Sequence, residues 1–413
     1  MKTIVPDGYQ ETKLGIIPND WEVKTFQSVF ERVTRKNTVN NQNVLTISAQ
    51  HGLVNQEDFF NKSVSSEDLS GYILLNKGEF AYNKSYSNGY PMGAIKRLKK
   101  YDQGVVSSLY IYFKAIKDEP EFYEHYFEAG MLNREIYKIA QEGARNHGLL
   151  NMSVIEFFKD LHVAKPPKME QQKIAQILTT WDEAISKQEE IIKQKEKLKK
   201  GLMQKLLSGE VRFDGFSDKW KEIKLKDILT EHGTKSDGEC EVHSVSVSKG
   251  LINQIEHLGR SYAAEDTSNY NLVKPFDIVY TKSPTGDFPF GIIKQNMNNF
   301  NAIVSPLYGV FTATNKYLGH FLHLYFESPV RTKNYLLPII QKGAKNTINI
   351  TNKTFLSKSI SIPMDEREQE KISNFFLVLN SNLDLLKKEL EELKLQKKAL
   401  MQKLLTGEVR VKV

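Results

Sequence analysis

The chain has 413 residues, of which 40% are hydrophobic, with 57 Lys and Arg against 50 Asp and Glu. This length predicts two or more globular units, and the modest basic excess suits a polyanionic partner without requiring one. The single cysteine excludes an internal disulfide, no apolar run reaches the length of a membrane span, and residues 1–6 lack a signal-peptide pattern. We therefore expect a cytoplasmic protein with no membrane role.

Residues from about Trp21 to Val163 form the first predicted globular stretch. Short runs rich in Val, Ile, Tyr and Phe alternate there with Gly, Asn and Pro, which predicts a mixed α/β domain. Residues 105–113 predict one buried strand, and residues 121–140 predict a helix with aromatic side chains on one face. A long helix follows Pro166-Pro167, because proline fits a helix start but not a helix interior.

The second half of the chain repeats the first. The segment LMQKLLSGEVR at 202–212 returns as LMQKLLTGEVR at 400–410, an offset of 400 − 202 = 198 residues. Residues 303–311 and 316–325 predict a strand and a helix in the same order as before, and a second long helix follows Pro363. Short insertions shift the offset only slightly between the copies, so the chain is a tandem duplication.

Both long helices carry an apolar stripe with spacings of three and four, which Lys397 interrupts in the second copy. A single stripe of this kind is typical of a core-facing helix, but two copies at one period favour pairing with each other as a coiled coil. A helix of about 40 residues would be roughly 60 Å long and could serve as a rigid spacer. The predicted seam residues are Ile174, Ile177, Trp181, Ile185, Ile192, Leu202, Ile372, Phe375, Leu379, Leu383, Leu386, Leu390, Leu393 and Leu400.

Together these features resemble the specificity subunits of type I restriction-modification enzymes over nearly the whole chain. Residues 13–21 and 212–220 are similar to the family's start of each target-recognition domain, and residues 163–174 and 362–372 to its turns into the conserved helices. The resemblance implies an α+β fold, a tandem repeat of two α/β target-recognition domains joined by two long helices that form an antiparallel coiled coil with pseudo-two-fold symmetry. The implied domains are two target-recognition domains, 1–165 and 214–362, and two conserved spacer helices, 166–213 and 363–413.

The same resemblance implies a non-catalytic subunit that reads double-stranded DNA. Such a subunit docks two modification (methyltransferase) subunits and, in many complexes, restriction subunits that translocate and cut. S-adenosylmethionine, ATP and Mg²⁺ are then expected on the partner subunits, with no cofactor and no metal in this chain. Because the two recognition domains differ so much, the predicted target is asymmetric and bipartite rather than palindromic.

Two pairs of loops supply the predicted DNA contacts. Basic and hydroxyl residues kept in both copies are candidates for phosphate anchoring, and residues that diverge are candidates for base reading. Solvated strand ends, and a helix C-terminal turn with polar side chains, remain the alternative interpretations. The candidates are Lys84, Ser85, Tyr86, Asn88, Tyr90, Lys96, Arg97, Arg145 and Asn146 in the first copy, and Lys282, Ser283, Thr285, Lys294, Gln295, Lys345, Asn346 and Thr347 in the second.

Catalytic motifs are missing from the sequence. It has no phosphate-binding glycine loop and no Asn-Pro-Pro-Tyr segment of the adenine methyltransferase type. His320 and His323 have a spacing that suits metal ligands, but their aromatic and apolar neighbours favour packed histidines. Two other classes stay open: a reader fused to a catalyst, for which the repeat leaves no room, and a scaffold that binds only proteins. Salt-dependent DNA binding would distinguish the scaffold from the reader.

Overall fold

The computed structural model describes residues 5–61, 65–142, 150–236, 238–342 and 348–412. The chain divides into two compact units, of which the first comprises Met1–Glu189 with Lys388–Val413 and the second comprises Glu190–Lys387. Both boundaries fall inside a long helix, so that each unit contains a part of both long helices.

The first unit begins with a mixed α/β domain that leads into the first long helix. Its strands are β1 (Tyr9–Thr12), β2 (Gly15–Pro18), β3 (Glu22–Thr25), β4 (Phe30–Arg32), β5 (Leu45–Ser48), β6 (Gly52–Asn55), β7 (Ile73–Asn76), β8 (Phe80–Asn83), β9 (Ala94–Arg97), β10 (Gln103–Val106), β11 (Ile111–Ala115), β12 (Gln141–Glu142), β13 (Leu150–Asn151) and β14 (His162–Lys165). Its helices are α1 (Phe26–Val29), α2 (Gln56–Phe60), α3 (Pro120–Glu128), α4 (Asn133–Ile139) and α5 (Val154–Asp160), and the long helix α6 (Lys168–Leu206) begins in this unit and ends in the second.

The second unit repeats this order. Its strands are β15 (Lys221–Lys224), β16 (Leu229–Glu231), β17 (His243–Ser246), β18 (Gly250–Asn253), β19 (Asn271–Val273), β20 (Ile278–Tyr280), β21 (Ile293–Gln295), β22 (Ala302–Val304), β23 (Gly309–Ala313), β24 (Gln341–Lys342), β25 (Ile348–Asn349) and β26 (Ser359–Ile362). Its helices are α7 (Gln254–Leu258), α8 (Lys316–Phe326), α9 (Pro329–Leu336) and α10 (Asn352–Phe355), with 3₁₀ turns at Leu225–Asp227 and Leu337–Ile339. The long helix α11 (Glu366–Thr406) begins in this unit and ends in the first.

A four-stranded antiparallel sheet lies at the centre of each unit. The strand order is β4-β11-β8-β9 in the first unit and β16-β23-β20-β21 in the second. The hairpin β8–β9 pairs Tyr82 with Ile95, and the hairpin β20–β21 pairs Tyr280 with Ile293, its counterpart at an offset of 198. The repeat seen in the sequence is therefore a repeat of topology and of strand register.

Aromatic side chains fill the main core of each unit. In the first unit Phe80 and Phe113 stack with ring centroids 5.2 Å apart, and in the second Tyr280 stacks on Phe355 at 4.7 Å. Aromatic residues of this kind favour pleated, half-buried positions. Burial of each one stabilises its unit by about 1.5–3 kcal/mol, which makes the sheet a firm base for the loops at its edge.

Three predicted elements differ from the structure. The strand at 105–113 is two strands, because Ser107 Oγ accepts a hydrogen bond from the Leu109 amide and closes a turn between β10 and β11. The strand at 303–311 is likewise split into β22 and β23. The helix at 121–140 ends at Glu128, because Gly130 adopts a left-handed φ of 71° and terminates α3 before α4 begins.

The two long helices run antiparallel within each unit. In the first unit Asp182 and Glu189 of α6 pair with Lys397 and Lys394 of α11, so the numbering falls on one helix as it rises on the other. In the second unit the C-terminal part of α6 and the N-terminal part of α11 share one apolar core. Every predicted seam residue is buried or half-buried. None of the helices in the described residues combines the length and apolarity needed to cross a membrane.

Candidate nucleic-acid interface

The loop between β8 and β9 presents the first group of predicted DNA contacts. Ser87 and Tyr90 exchange backbone hydrogen bonds around a tight turn in which Gly89 has a φ of 82°. Glycine occupies this left-handed region at no steric cost, so the turn projects its tip outward. Tyr86 is 62% exposed and Asn88 is exposed, while Lys84 and Ser85 are half-buried. The turn thus places an aromatic ring and an amide in solvent beside a lysine.

Three further candidates in this unit are held by carboxylates of α3. Lys96 Nζ donates to Glu128 Oε2 at 2.6 Å and to the Tyr90 hydroxyl at 2.9 Å, and the Tyr90 hydroxyl in turn donates to Glu128 Oε1. Arg97 donates to two other glutamates of the same helix, Glu121 at 2.9 Å and Glu124 at 2.8 Å. With their side chains only 11% and 10% exposed, Lys96 and Arg97 tie the sheet to the helix. The structure therefore gives both residues a packing role, and their contact with DNA stays a prediction.

The corresponding loop of the second unit has a different chemistry. Thr285 and Phe288 close its turn, and Ser283, Thr285 and Gly286 are exposed. Lys282 has a left-handed φ of 56°, which is strained for a residue with a side chain. Burial also lowers the pKa of Lys282, although Glu231 opposes the shift. Strained backbone and partly desolvated cations are common at binding sites, so Lys282 is the strongest contact candidate of this loop.

Two predicted contacts of the second unit are not at the surface. Lys294 is 3% exposed and Gln295 is 1% exposed. The Gln295 amide nitrogen Nε2 donates to the carbonyl oxygens of Phe276 and Lys316, both at 3.1 Å, which fixes the side chain inside the domain. This burial contradicts the prediction that Lys294 and Gln295 contact DNA directly. The sequence could not reveal this burial, because matching positions in the two copies have different exposure in the folded chain.

The second predicted loop pair lies outside the described residues. Arg145 and Asn146, and Lys345, Asn346 and Thr347, fall in the segments 143–149 and 343–347. The flanking strands are described, and in the first unit the Leu150 amide donates to the Lys84 carbonyl at 3.1 Å. The start of β13 therefore touches the start of the β8–β9 loop, which makes one surface out of two segments distant in sequence.

A buried carboxylate closes each unit, and sequence reasoning did not identify it. In the first unit Glu170, at the start of α6, accepts from the Trp21 indole at 2.9 Å and from Arg410 through both oxygens at 2.8 and 2.9 Å. Glu170 is 2% exposed. We call this arrangement the carboxylate clasp of the first unit. It fixes the segment after α11 to the domain that begins the chain.

The second unit has its own clasp with the same parts. Glu368 accepts from Arg212 at 2.8 and 2.6 Å, and the Trp220 indole donates to it at 3.3 Å. All three residue types recur at matching positions in the two copies. That recurrence of an Arg and a Glu within the repeated segments was the available signal. The recurrence could not reveal which residues pair, because the Arg that follows each long helix binds the Glu at the start of the other long helix.

His320 and His323 are packed in the second unit, as favoured from the sequence. His320 Nδ1 lies 2.8 Å from Ser373 Oγ, and His323 Nδ1 accepts from the Gln295 amide at 3.0 Å. Burial lowers the pKa of His320 to about 4, so both the hydrogen bonds and the burial suit a neutral ring. Among the residues that the structure describes, no group of His, Cys, Asp and Glu is arranged to hold a metal ion.

Comparison with known proteins finds relatives along nearly the whole chain. No family model matches it. A putative type I restriction enzyme specificity subunit, MjaX of Methanocaldococcus jannaschii, is 23% identical over 98% of this chain and 97% of its own length. The chain is a homologue of type I specificity subunits. A second specificity subunit of that organism, MjaVIII, is 26% identical over 62% of this chain and 64% of its own length.

Solved structures of type I specificity subunits show the same fold. The S subunit of a type I system from M. genitalium aligns with a TM-score of 0.54 at 16% identity, covering 93% of this chain and 96% of that one. A chain from a study of type I complex assembly and conformational transition gives the same TM-score at 14% identity, covering 95% of this chain and 99% of that one. The predicted class, a specificity subunit and not an enzyme, and the predicted fold are confirmed.

Proposed function

We propose that this specificity subunit reads an asymmetric, bipartite sequence in double-stranded DNA, with one half recognised by each recognition domain. The observation that carries the proposal is the likeness to a specificity subunit along 98% of the chain, in a molecule built from two copies of one fold. Residues 1–165 and 214–362 would be the two recognition domains, and residues 166–213 and 363–413 the conserved helices.

The exposed loops support a target with two unlike halves. Both units build the same hairpin on the same sheet, yet the first exposes Tyr86 and Asn88 where the second has Pro284 and Gly286. An asparagine can make two hydrogen bonds to the major-groove edge of adenine and a tyrosine can stack on a base, whereas the side chains of glycine and proline can do neither. Two similar hairpins that expose different residues fit a target with two different half-sites better than a palindromic target.

Catalysis is assigned to partners. We propose that two methyltransferase subunits, and restriction subunits where present, dock on this chain and bring S-adenosylmethionine, ATP and Mg²⁺ with them. One chain from a study of type I complex assembly supports the partner subunits in general. A scaffold that binds only protein would share the helices but would make the hairpin differences incidental.

Gel-shift binding of the chain co-expressed with its methyltransferase subunit tests the DNA-reading role. We expect binding to weaken steeply with salt, because phosphate contacts release counterions. Lys84→Gln should weaken binding to all sequences alike and reduce the salt slope by about one unit. Lys114→Gln is the matched control, because Lys114 lies in β11 of the same sheet, is paired with Glu31 and is not among the predicted DNA contacts. Sequence-specific binding that is absent at every salt concentration, in a complex that assembles, would favour the scaffold.

A further inference from the structure

The second unit contains a cavity of about 850 Å³ that is lined by residues of α6, α11 and β21 among others. Lys199 and Met203 of α6 and Asn380 and Leu383 of α11 form one wall, and Lys294 of β21 lies in the other. Cavities of about 300–1,000 Å³ are typical of sites for small molecules. The cavity is distinct from the exposed hairpin loop proposed to meet DNA.

In the first unit, the lysines that correspond to the two cavity lysines are neutralised. Lys96 corresponds to Lys294 and is paired with Glu128, and Lys397 corresponds to Lys199 and is paired with Asp182. Two ammonium groups are thus balanced by two carboxylates. This part of the first unit carries no excess charge.

The second unit lacks one of those carboxylates. Asn380 stands where the first unit has Asp182, at the offset of 198 that relates the helices. Glu327 bonds Lys199 at 3.2 Å and is also the acid whose charge acts on Lys294, whereas Glu196 of the same lining is paired with Lys387. Over the whole lining of the cavity six Lys and Arg residues face three acids, Glu196, Glu327 and Asp384, so the cavity carries a net positive charge.

The Lys294 side chain is subject to the charge of Glu327, but its ammonium has no hydrogen-bond partner among the described residues. It is 3% exposed, lines the cavity, and makes no hydrogen bond or ion pair with any residue that the structure describes. Phe288 occupies the place of Tyr90, whose hydroxyl binds the corresponding lysine in the first unit. Burial lowers the pKa of Lys294, with Glu327 opposing the shift. A buried ammonium without hydrogen bonds is costly unless an anion joins it.

We propose that this cavity binds a small organic phosphate, with the phosphate group held by Lys294 and Lys199. Lysine binds phosphate as a point charge, and two lysines that share one carboxylate can accept a further anion. Leu251, Met297 and Val330 supply an apolar surface in the same cavity for a ring or chain attached to the phosphate. A nucleoside monophosphate has both parts and fits the available volume.

Isothermal titration of the purified full-length chain with AMP, adenosine and inorganic phosphate tests the proposal. We expect AMP to bind, phosphate to bind more weakly, and adenosine to give no measurable binding. Lys294→Gln should weaken AMP binding at least tenfold. Lys96→Gln, the same change at the matching position of the first unit, should leave it within twofold.

Asn380→Asp is the sharper variant, because it restores the charge balance of the first unit. It should fold normally, since Asp182 occupies that position in the other copy, and thermal unfolding checks this directly. It should also weaken AMP binding at least tenfold by neutralising Lys199. Undiminished AMP binding in this variant, or no AMP binding by the unaltered chain, overturns the proposal.

Duplex DNA is the other source of phosphate, and a separate arm distinguishes it. If a DNA backbone phosphate occupied the cavity, Lys294→Gln would weaken DNA binding by the assembled complex. That result without AMP binding would also overturn the proposal. We expect Lys294→Gln to leave DNA affinity unchanged.

Discussion

Removing the arginine of either clasp should destabilise the unit that it closes. Arg212→Met and Arg410→Met each leave a glutamate that is 1% or 2% exposed with an indole N–H as its remaining strong donor. Breaking a buried ion pair on one side costs about 3–5 kcal/mol. The Arg410 side chain is 39% exposed and that of Arg212 only 19%, so water reaches the first clasp more easily. We expect losses of about 2 kcal/mol for Arg410→Met and about 3–4 kcal/mol for Arg212→Met.

Urea unfolding measures the size of these losses, and hydrogen exchange read by mass spectrometry locates them. Arg410→Met should raise exchange in the first unit alone, and Arg212→Met in the second unit alone. Arg367→Met is the matched control, because Arg367 pairs with Asp365 at the surface, with its side chain 83% exposed. Such a pair contributes at most about 1 kcal/mol. Clasp variants no less stable than this control, or losses located in the opposite unit, would refute the reasoning.

The remaining predictions concern DNA contact, half-site identity and acid stability. Arg145→Ala or Lys345→Ala should weaken DNA binding in the assembled complex; unchanged affinity at physiological salt for both would remove these loops from the interface. Replacing residues 283–287 with the corresponding residues of the β8–β9 loop should alter the recognised bases in one half-site only, which methylation mapping detects. Burial lowers the pKa of His125 from 6.5 to about 4, with the Asp182 charge opposing the shift. The unfolded chain therefore takes up the proton first as pH falls, and stability present above pH 6.5 is lost progressively towards pH 4. His125→Gln should flatten the dependence of urea unfolding on pH across that window; an unaltered slope would contradict this assignment.

Much of the fold could be predicted from the sequence because the repeat fixed its symmetry. The period of 198 residues and the proline boundaries predicted two similar domains and two long helices. The bounds of shorter elements were predicted wrongly where a local turn interrupts them. Ser107 breaks one apparent strand through a single side-chain hydrogen bond, and Gly130 ends a helix whose apolar pattern continues beyond it. Neither the Ser107 hydrogen bond nor the Gly130 conformation changes the apolar periodicity from which the strand and the helix were predicted.

The site was harder to predict, since burial and pairing are properties of the folded chain. Lys96 and Lys294 occupy equivalent positions and looked like equivalent anchors. In the structure one is bound by a glutamate, whereas the other lines a cavity without a hydrogen bond to any described residue, because Phe288 replaces the Tyr90 hydroxyl and Glu327 bonds Lys199 instead. The carboxylate clasp could not be predicted for the same reason, because Glu170 binds an arginine that lies 240 residues away in the sequence.

Mapping of modified adenines tests the central claim most directly. The measurement uses cells that express this chain with its methyltransferase subunits and compares them with cells that lack the chain. We predict modification at a single motif made of two unlike half-sites separated by a fixed gap, and only when the chain is present. A palindromic motif, or a pattern of modification that does not depend on this chain, would contradict the account.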